Sequence, residues 1–545
     1  MQTVKGNPMQ ARTRARKTAT NLIPPRLHCL ALCLALGTLS TAALAQTGTS
    51  TELAGPTLEV QRYLIDGGVP LPEPETQALL APFVGPGKTM ADIEGAARAL
   101  ERRLRDRGYA FHRVFVPEQK PVDGVVKLGI VQIRVGKVEV TGNTFFSSDN
   151  IRRSLGSLKE GEIPEVRTLG RDVTASNANP AKQVTVTFKE SSEANQVDAE
   201  IKVKDSDPVN YFAALSLNEK VTGSGPSART RRISGGFQHS NLFDRDQVMT
   251  VSYTTDPGYP NNVSLIGVYY QVPIYGTGMN LSAAYVSSDV NSGQVRQGAN
   301  VFDVSGSGQF AGVRLSKALN RVGPLQQTVA VGLDDRYFKN STTFNGAQIQ
   351  PNVGSRVLSL QYTLRNEPDW GVYAGSVDYA VNIGGGTANS AANHAANGGD
   401  RNWDAIRYSL EAATLVGSWQ LSGRLKGQFS NDSLIAGEQF GLGGASSVRG
   451  FSDRVVAGER GYQWNVEGMG PGIGELKIRP IVFLDGGRVW LRGGSNESLM
   501  AVGIGMRMVY NKMQLGVDLA KALDGPRAAP SGNPIRLHVA ATYRF

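Results

Sequence analysis

From Pro208 to the final residue, Phe545, the chain runs as segments of about ten residues in which apolar and polar side chains alternate. NYFAALSLN, QVMTVSYTTD, VSLIGVYYQV, MNLSAAYVSS, RVLSLQYTLRN and QLSGRLKGQF are examples, separated by Gly, Asn, Asp, Ser and Pro turns. Successive side chains of a strand point to opposite faces, so each segment carries one apolar and one polar face. No apolar run approaches the ~18 residues that a membrane-spanning helix requires. One such segment also fits a soluble sandwich or propeller. Sustained over 338 residues, the pattern predicts an all-β transmembrane barrel. The last segment, PIRLHVAATYRF, is the clearest. Ile535, Leu537, Val539, Ala541, Tyr543 and Phe545 share one face, and Arg536, His538, Thr542 and Arg544 the other. An apolar row for lipid opposite a charged row for the lumen is the pattern of a closing barrel strand.

The other end of the chain fixes the compartment. Residues 1–45 read as a signal peptide: Lys5, Arg12, Arg14, Arg16, Lys17 and Arg26 without an acid, then an apolar stretch from Leu27 to Leu39, then Ala43-Leu44-Ala45 as cleavage site. Thirteen residues are too few to span a bilayer of about 30 Å. The formal net charge is +10, and six of those charges leave with the leader, so the mature chain keeps only +4. That mild balance gives no argument for nucleic acid. Cys29 and Cys33, the only cysteines, leave as well, which removes disulfides, thiolate metal sites and a cysteine nucleophile from consideration.

Between leader and barrel the periodicity changes. After a short linker, 46–56, LEVQRYLIDGG reads as a strand and TMADIEGAARALERRLRDRGY as a helix, with Ile93, Ala97, Leu100 and Leu104 on one face. Thr89 with Asp92 is placed to cap its start and Gly108 its end. AFHRVFVP and VVKLGIVQIRV read as strands. The pattern then restarts: GKVEVTGN is a strand, SSDNIRRSLGS and PEVRTLGRDVTA are short helices, QVTVTFKE and QVDAEIKVKD are strands. The expectation is two small α+β modules of β-α-α-β-β order, 57–133 and 134–207, ahead of a barrel over 208–545.

One loop in the barrel half stands apart. In GLGGASSVRGFSDR three glycines and two serines lead up to one arginine, Arg449. With its flank, GEQFGLGGASSVRGF resembles the signature segment of the two-partner secretion transporters, a branch of the POTRA-plus-barrel insertase superfamily. A second motif of that family, F-x-D-x-G, is present as Phe483, Asp485 and Gly487 in PIVFLDGGRVW. VTGNTFFSSDNI is similar to a POTRA opening, and a terminal aromatic, Phe545, is similar to the signal read by the barrel-assembly machinery. The resemblance implies a barrel of about 16 antiparallel strands, two periplasmic POTRA domains, and a sixth extracellular loop, around 441–460, folded back into the lumen. Val448, Arg449, Gly450 and Phe451 would form its tip. It also implies a large secreted exoprotein as partner, an outer-membrane location in a Gram-negative envelope, contact with outer-membrane lipid, and no cofactor. Family members often carry an N-terminal plug helix; the eleven residues 46–56, rich in Thr, Gly and Pro, argue against one here.

Alternation supports the inward loop. In ELKIRPIVFLD the charged row is Glu475, Lys477, Arg479 and Asp485, which cannot face lipid when a midplane ion costs about 2–4 kcal/mol. Asp485 is therefore expected in the lumen, where a loop arginine could bond it through both nitrogens of its fork. Phe451 is expected to pack beside that pair, near Phe483.

Catalysis finds little support. There is no G-x-S-x-G and no H-E-x-x-H. His112, His239, His394 and His538 lack metal-ligand spacing. QHSNLFDRD holds phospholipase-like residue types, but adjacent His239 and Ser240 would point to opposite faces of a strand. NIGGGTANSAANHAANGGD lacks the Lys-Ser/Thr of a phosphate loop and reads as a mobile surface loop. The alternative function within the resemblance is an insertase of other barrels, whose members carry more POTRA modules. A passive porin would need neither modules nor an inward loop.

Overall fold

The computed structural model describes residues 57–545 except 223–228, 259, 261–263, 290–292, 298–299, 305–306, 341–342, 345–346, 349, 495 and 527–533. The leader, the linker and the plug helix's absence all lie outside the described residues.

The first module is a three-stranded sheet in which Val125–Gln132 is central, parallel to Arg62–Asp66 and antiparallel to His112–Phe115. Helices Glu73–Leu80 and Met90–Asp106 cover it. The apolar stripe of the longer helix, Ile93, Ala97, Leu100 and Leu104, is buried against Val126 and Leu128. Thr89 and Asp92 close a reciprocal capping box at its start. The shorter helix begins in the proline-rich PEPE stretch, where no apolar period announces it.

Two runs that read as single strands are each divided. LEVQRYLIDGG splits at Gln61: Leu58–Val60 pairs with Gly85–Lys88, and Arg62 onward joins the main sheet. The carbonyl of Gly124 takes both the Gln61 and the Arg62 N–H, which interrupts the ladder. VVKLGIVQIRV divides at Ile133, whose N–H closes the first module on Phe111 O, while Arg134 N–H opens the second on Asn195 O. Periodicity continues across both points because both halves are half-buried strands.

The second module repeats the plan. Gln196–Asp205 lies between parallel Arg134–Thr141 and antiparallel Lys182–Glu190, under helices Ser148–Ser154 and Val166–Ser176. Phe146, Ile151, Leu155, Leu169 and Ile201 fill its core. The modules touch where Val166 N–H reaches Gly108 O and where Phe111 meets Phe188 edge-on, centroids 4.7 Å apart.

The chain then closes a barrel of sixteen antiparallel strands, each paired with its sequence neighbour. The ring is completed by the last, Ile535–Arg544, against the first, Val209–Thr222. Closure pairs every edge, the condition for a sheet in lipid, where no water can satisfy an open N–H. Outward positions are apolar and exposed, as at Leu215, Ile266, Leu333, Leu360 and Val482. Trp370, Trp419, Tyr510, Tyr543 and Phe545 stand exposed at the end nearer the modules, the place of an interfacial aromatic girdle. The sixth loop away from the modules, between the eleventh strand (Trp419–Phe429) and the twelfth (Arg460–Met469), carries GLGGASSVRGFSDR.

NIGGGTANSAANHAANGGD departs from its expectation. It is ordered around a short helix, Ala391–Ala396, and His394 is fully buried, its Nε2 2.8 Å from Gly354 O and 3.1 Å from Asn389 Oδ1. Its glycines allow close packing: Gly399 lies against Ile435 and Leu434 of the sixth loop.

Candidate functional site: the lumen loop and its anchors

A loop can enter a barrel only if its polar backbone and any charge find partners there. The sixth loop does so in stages. Phe440–Leu442 and Val456–Gly458 pair as a small ribbon, and the chain between them turns inward. At its tip, Val448 and Phe451 are buried with Leu442, Val489, Leu499, Ala501 and Ala522. Gly450 lies in the left-handed region, φ +92°, and its N–H donates to His538 Nε2 at 3.2 Å. A side chain there would be strained in backbone, although its Cβ would meet Ala501 and Ala522 only at an ordinary contact distance of 3.4 Å.

Arg449 is 6% exposed. Its Nε donates to Asp485 Oδ2 at 2.7 Å and its Nη2 to Asp485 Oδ1 at 2.9 Å, a bidentate pair, and its backbone N–H adds 3.1 Å to Oδ2. Nη1 donates to Glu467 Oε2 at 3.0 Å and to Asp518 Oδ2 at 3.2 Å. These carboxylates come from the twelfth, thirteenth (Arg479–Trp490) and fifteenth (Met513–Asp524) strands. Arg507, on the fourteenth (Asn496–Tyr510), bonds Asp518 and offsets part of the negative charge. The guanidinium carbon also lies over the Phe483 ring, 3.3 Å from its centroid.

Phe483 and Asp485 are two apart on one face, so one wall supplies both the ring and the carboxylate. Gly487, the third residue of that motif, supplies room: a Cβ there would stand 2.7 Å from Tyr462 O and 2.9 Å from the loop's Leu442. Phe451 does not sit near Phe483 as expected. The arginine occupies that face, and Phe451 belongs to the separate apolar cluster under the loop tip. Glu475 and Lys477 also fall outside the strand, which begins at Arg479 after a turn. Phe545 closes the chain with its N–H on Tyr211 O, 2.9 Å, and its ring against Tyr543.

A second polar centre joins the second module to the barrel. The Lys182 side chain is fully buried and donates to Asp246 Oδ2 at 2.7 Å and Asn150 Oδ1 at 3.0 Å. Asp246 also accepts from the Tyr275 hydroxyl at 3.0 Å. Ser147 bonds Asp244, and Asn179 Nδ2 donates to Ser240 O at 2.7 Å. The lure QHSNLFDRD is thus the docking turn. Ser240 is buried with its Oγ on Gln238, and His239 Nδ1 accepts from Asn241 N–H. Burial pushes the Lys182 ammonium below the ordinary lysine range against the pull of Asp246. Nothing in the sequence pairs Lys182 with Asp246; the density of Asn and Asp in NLFDRD marks only a turn.

Two periplasmic modules docked on a closed barrel, with an arginine-tipped loop tied inside it, define an outer-membrane transporter of the POTRA-barrel class. The profile described as "Haemolysin secretion/activation protein ShlB/FhaC/HecB" matches residues 196–508, and "POTRA domain, ShlB-type" matches 58–132. The chain belongs to the haemolysin secretion/activation family, the two-partner secretion transporters. Among its relatives, the outer membrane transporter CdiB of Dickeya dadantii (strain 3937) is 22% identical over 440 residues, 79% of this chain and 76% of that protein. CdiB of Escherichia coli is 21% identical over 470 residues, 82% and 75%. The solved structure of CdiB from Escherichia coli has a TM-score of 0.75 at 18% identity over 92% of each chain, and CdiB from Acinetobacter baumannii 0.70 at 18% over 90% of each. At such identity the structures show the shared fold.

Proposed function

We propose that the two modules capture an unfolded exoprotein at a sheet edge and that this client passes through the barrel lumen once the sixth loop withdraws. Lys182–Glu190 pairs on one side only among the described strands, and beyond Val184, which Asn177 holds, its outer backbone groups can accept an extended segment. The Arg134–Thr141 edge is partly covered, Val135 by Gly161 and Glu162 and Val138 by Glu160 and Arg152. The observation that carries the reading is Arg449, buried in the lumen on Asp485, Glu467 and Asp518. A loop held by charge pairs can be released, whereas one fused into the barrel wall could not. In the same reading the apolar outer band contacts outer-membrane lipid and Phe545 is read by the assembly machinery.

A seam lock tests the route. Leu217 and Val539 are directly opposite across the pairing of first and last strands. With no cysteine in the chain beyond Cys29 and Cys33, Leu217→Cys with Val539→Cys gives a single engineered pair in the mature protein. Secretion that persists after oxidation supports the lumen route. Secretion that stops on oxidation and returns on reduction favours an opening seam, the insertase-like alternative.

A further inference from the structure

A second ion-pair site in the lumen has the opposite polarity. Glu438 lies in the sixth loop, eleven residues before Arg449, and its side chain is fully buried. Its Oε2 accepts from Arg336 Nη1 at 2.7 Å and from Arg407 Nη2 at 3.0 Å. Arg336 stands on the seventh strand, Gln326–Phe338, and Arg407 on the tenth, Asp404–Val416. The same wall holds the backbone too: Gln428 Nε2 donates to Glu438 O at 2.9 Å, and Arg407 Nε fixes Gln428 at 2.9 Å. Asp334 bonds Arg336 at 2.8 Å and keeps its guanidinium aimed inward.

The two sites occupy separate arcs of the ring. Arg336 and Arg407 stand on strands seven and ten, and Glu467, Asp485 and Asp518 on strands twelve, thirteen and fifteen of sixteen. Here, then, the loop brings a carboxylate to a cationic wall, and at Arg449 a guanidinium to an anionic one. A loop tied at one point can swing about its contact, whereas one tied at two separated points is a strap.

We propose that Glu438 is the second anchor of the sixth loop, a positioning residue that holds the strap across the lumen, so that opening requires release of both contacts. The proposal rests on the reading that this loop obstructs the pore. Because the contacts have opposite sign, a client segment of one charge can compete at only one of them. Removing Glu438 takes the carboxylate from Arg407, and removing Arg449 takes the bidentate cation from Asp485, so each contact matters to the closed state.

The test is single-channel recording of the full chain in planar lipid bilayers, with unheated gel migration confirming assembly of each variant. Arg449→Ala is the reference for the obstruction reading. Glu438→Gln keeps shape and loses charge, and is expected to raise the open fraction by about tenfold, a 1.4 kcal/mol shift. Glu438→Asp should return most of the way to wild type. Arg336→Gln with Arg407→Gln removes both wall cations and so breaks the same contact from the wall; it also serves if the loop variant fails to assemble. Adding Glu438→Gln to that pair should open the pore no more than the larger of the two changes alone, since both remove one anchor. If Arg449→Ala opens the pore while Glu438→Gln, or the paired wall variant in its place, behaves as wild type, the second anchor is overturned and the obstruction reading stands. If none of them opens the pore, the obstruction reading itself fails and the strap with it.

Discussion

Each donor-bearing nitrogen of the Arg449 guanidinium has a carboxylate partner, and its carbon lies over the Phe483 ring. Lysine could meet one of these demands, but it has no fork and no flat face. Loss of one partner from a buried pair costs about 3–5 kcal/mol. Arg449→Ala is therefore expected to free the loop tip. Because an unheld tip and unpaired lumen carboxylates then stand in the path of the client, it should reduce secretion sharply at matched membrane levels, with Arg449→Lys recovering a minor part. Secretion of both at the wild-type rate would show the arginine to be dispensable. Gly487→Ala probes the space rather than the charge. Its methyl would collide with Tyr462 O and Leu442, so the loop should be displaced although both ionic partners remain. Raised protease access at 441–454 in intact cells is the expected sign.

The element that sets how the modules meet the barrel is the turn Asn241–Asp246. With Lys182 buried on Asp246, Lys182→Met leaves a carboxylate without its cation, and the second module should undock by limited proteolysis near Pro208. Lys182→Met with Asp246→Leu removes both charges and should restore much of the docking. A double variant as labile as the single one would mean that the pair itself holds the joint. Asp244 adds a pH dependence. Burial raises its pKa, but hydrogen bonds from Ser147 and Asn241 and the charge of Arg153 outweigh that and leave it below the ordinary 3.8. A depressed carboxylate contributes in full above its ordinary value and loses that contribution as pH falls through the depressed one. Through Asp244, docking should thus weaken only as pH falls below the ordinary carboxylate range, read as faster amide exchange at Asn150 after correction for intrinsic rate.

For the whole molecule, closure is the governing fact. Sixteen strands, each bonded on both sides, leave no edge to fray, and the last strand is tied to the first through Ile535–Arg544. The expectation is heat-modifiable migration: unheated protein in mild detergent runs compact, and heated protein runs at its full mass of 58.3 kDa, less any processed leader. Equal migration with and without heating would contradict a closed barrel.

The period of two from Pro208 onward determined the barrel, because alternation is a local property and lipid forces it on every strand. Local spacing likewise gave the stripe Ile93, Ala97, Leu100 and Leu104, its Thr89–Asp92 cap, and the lumen side of Asp485. The number of strands and the inward loop came from motif resemblance, since alternation does not count strands or fold a loop. Only the tertiary structure decided which charges meet. Arg449 lies 36 residues from Asp485 and 69 from Asp518, Glu438 lies 102 from Arg336, and Lys182 lies 64 from Asp246. It also decided that Arg449, not Phe451, covers the ring of Phe483, and that NIGGGTANSAANHAANGGD folds around a buried His394. Such pairings depend on which strands the closed ring brings opposite one another and on what a loop can reach inside it. A buried ion selects its partner by distance and desolvation in space, and neither quantity is written in the order of residues along the chain.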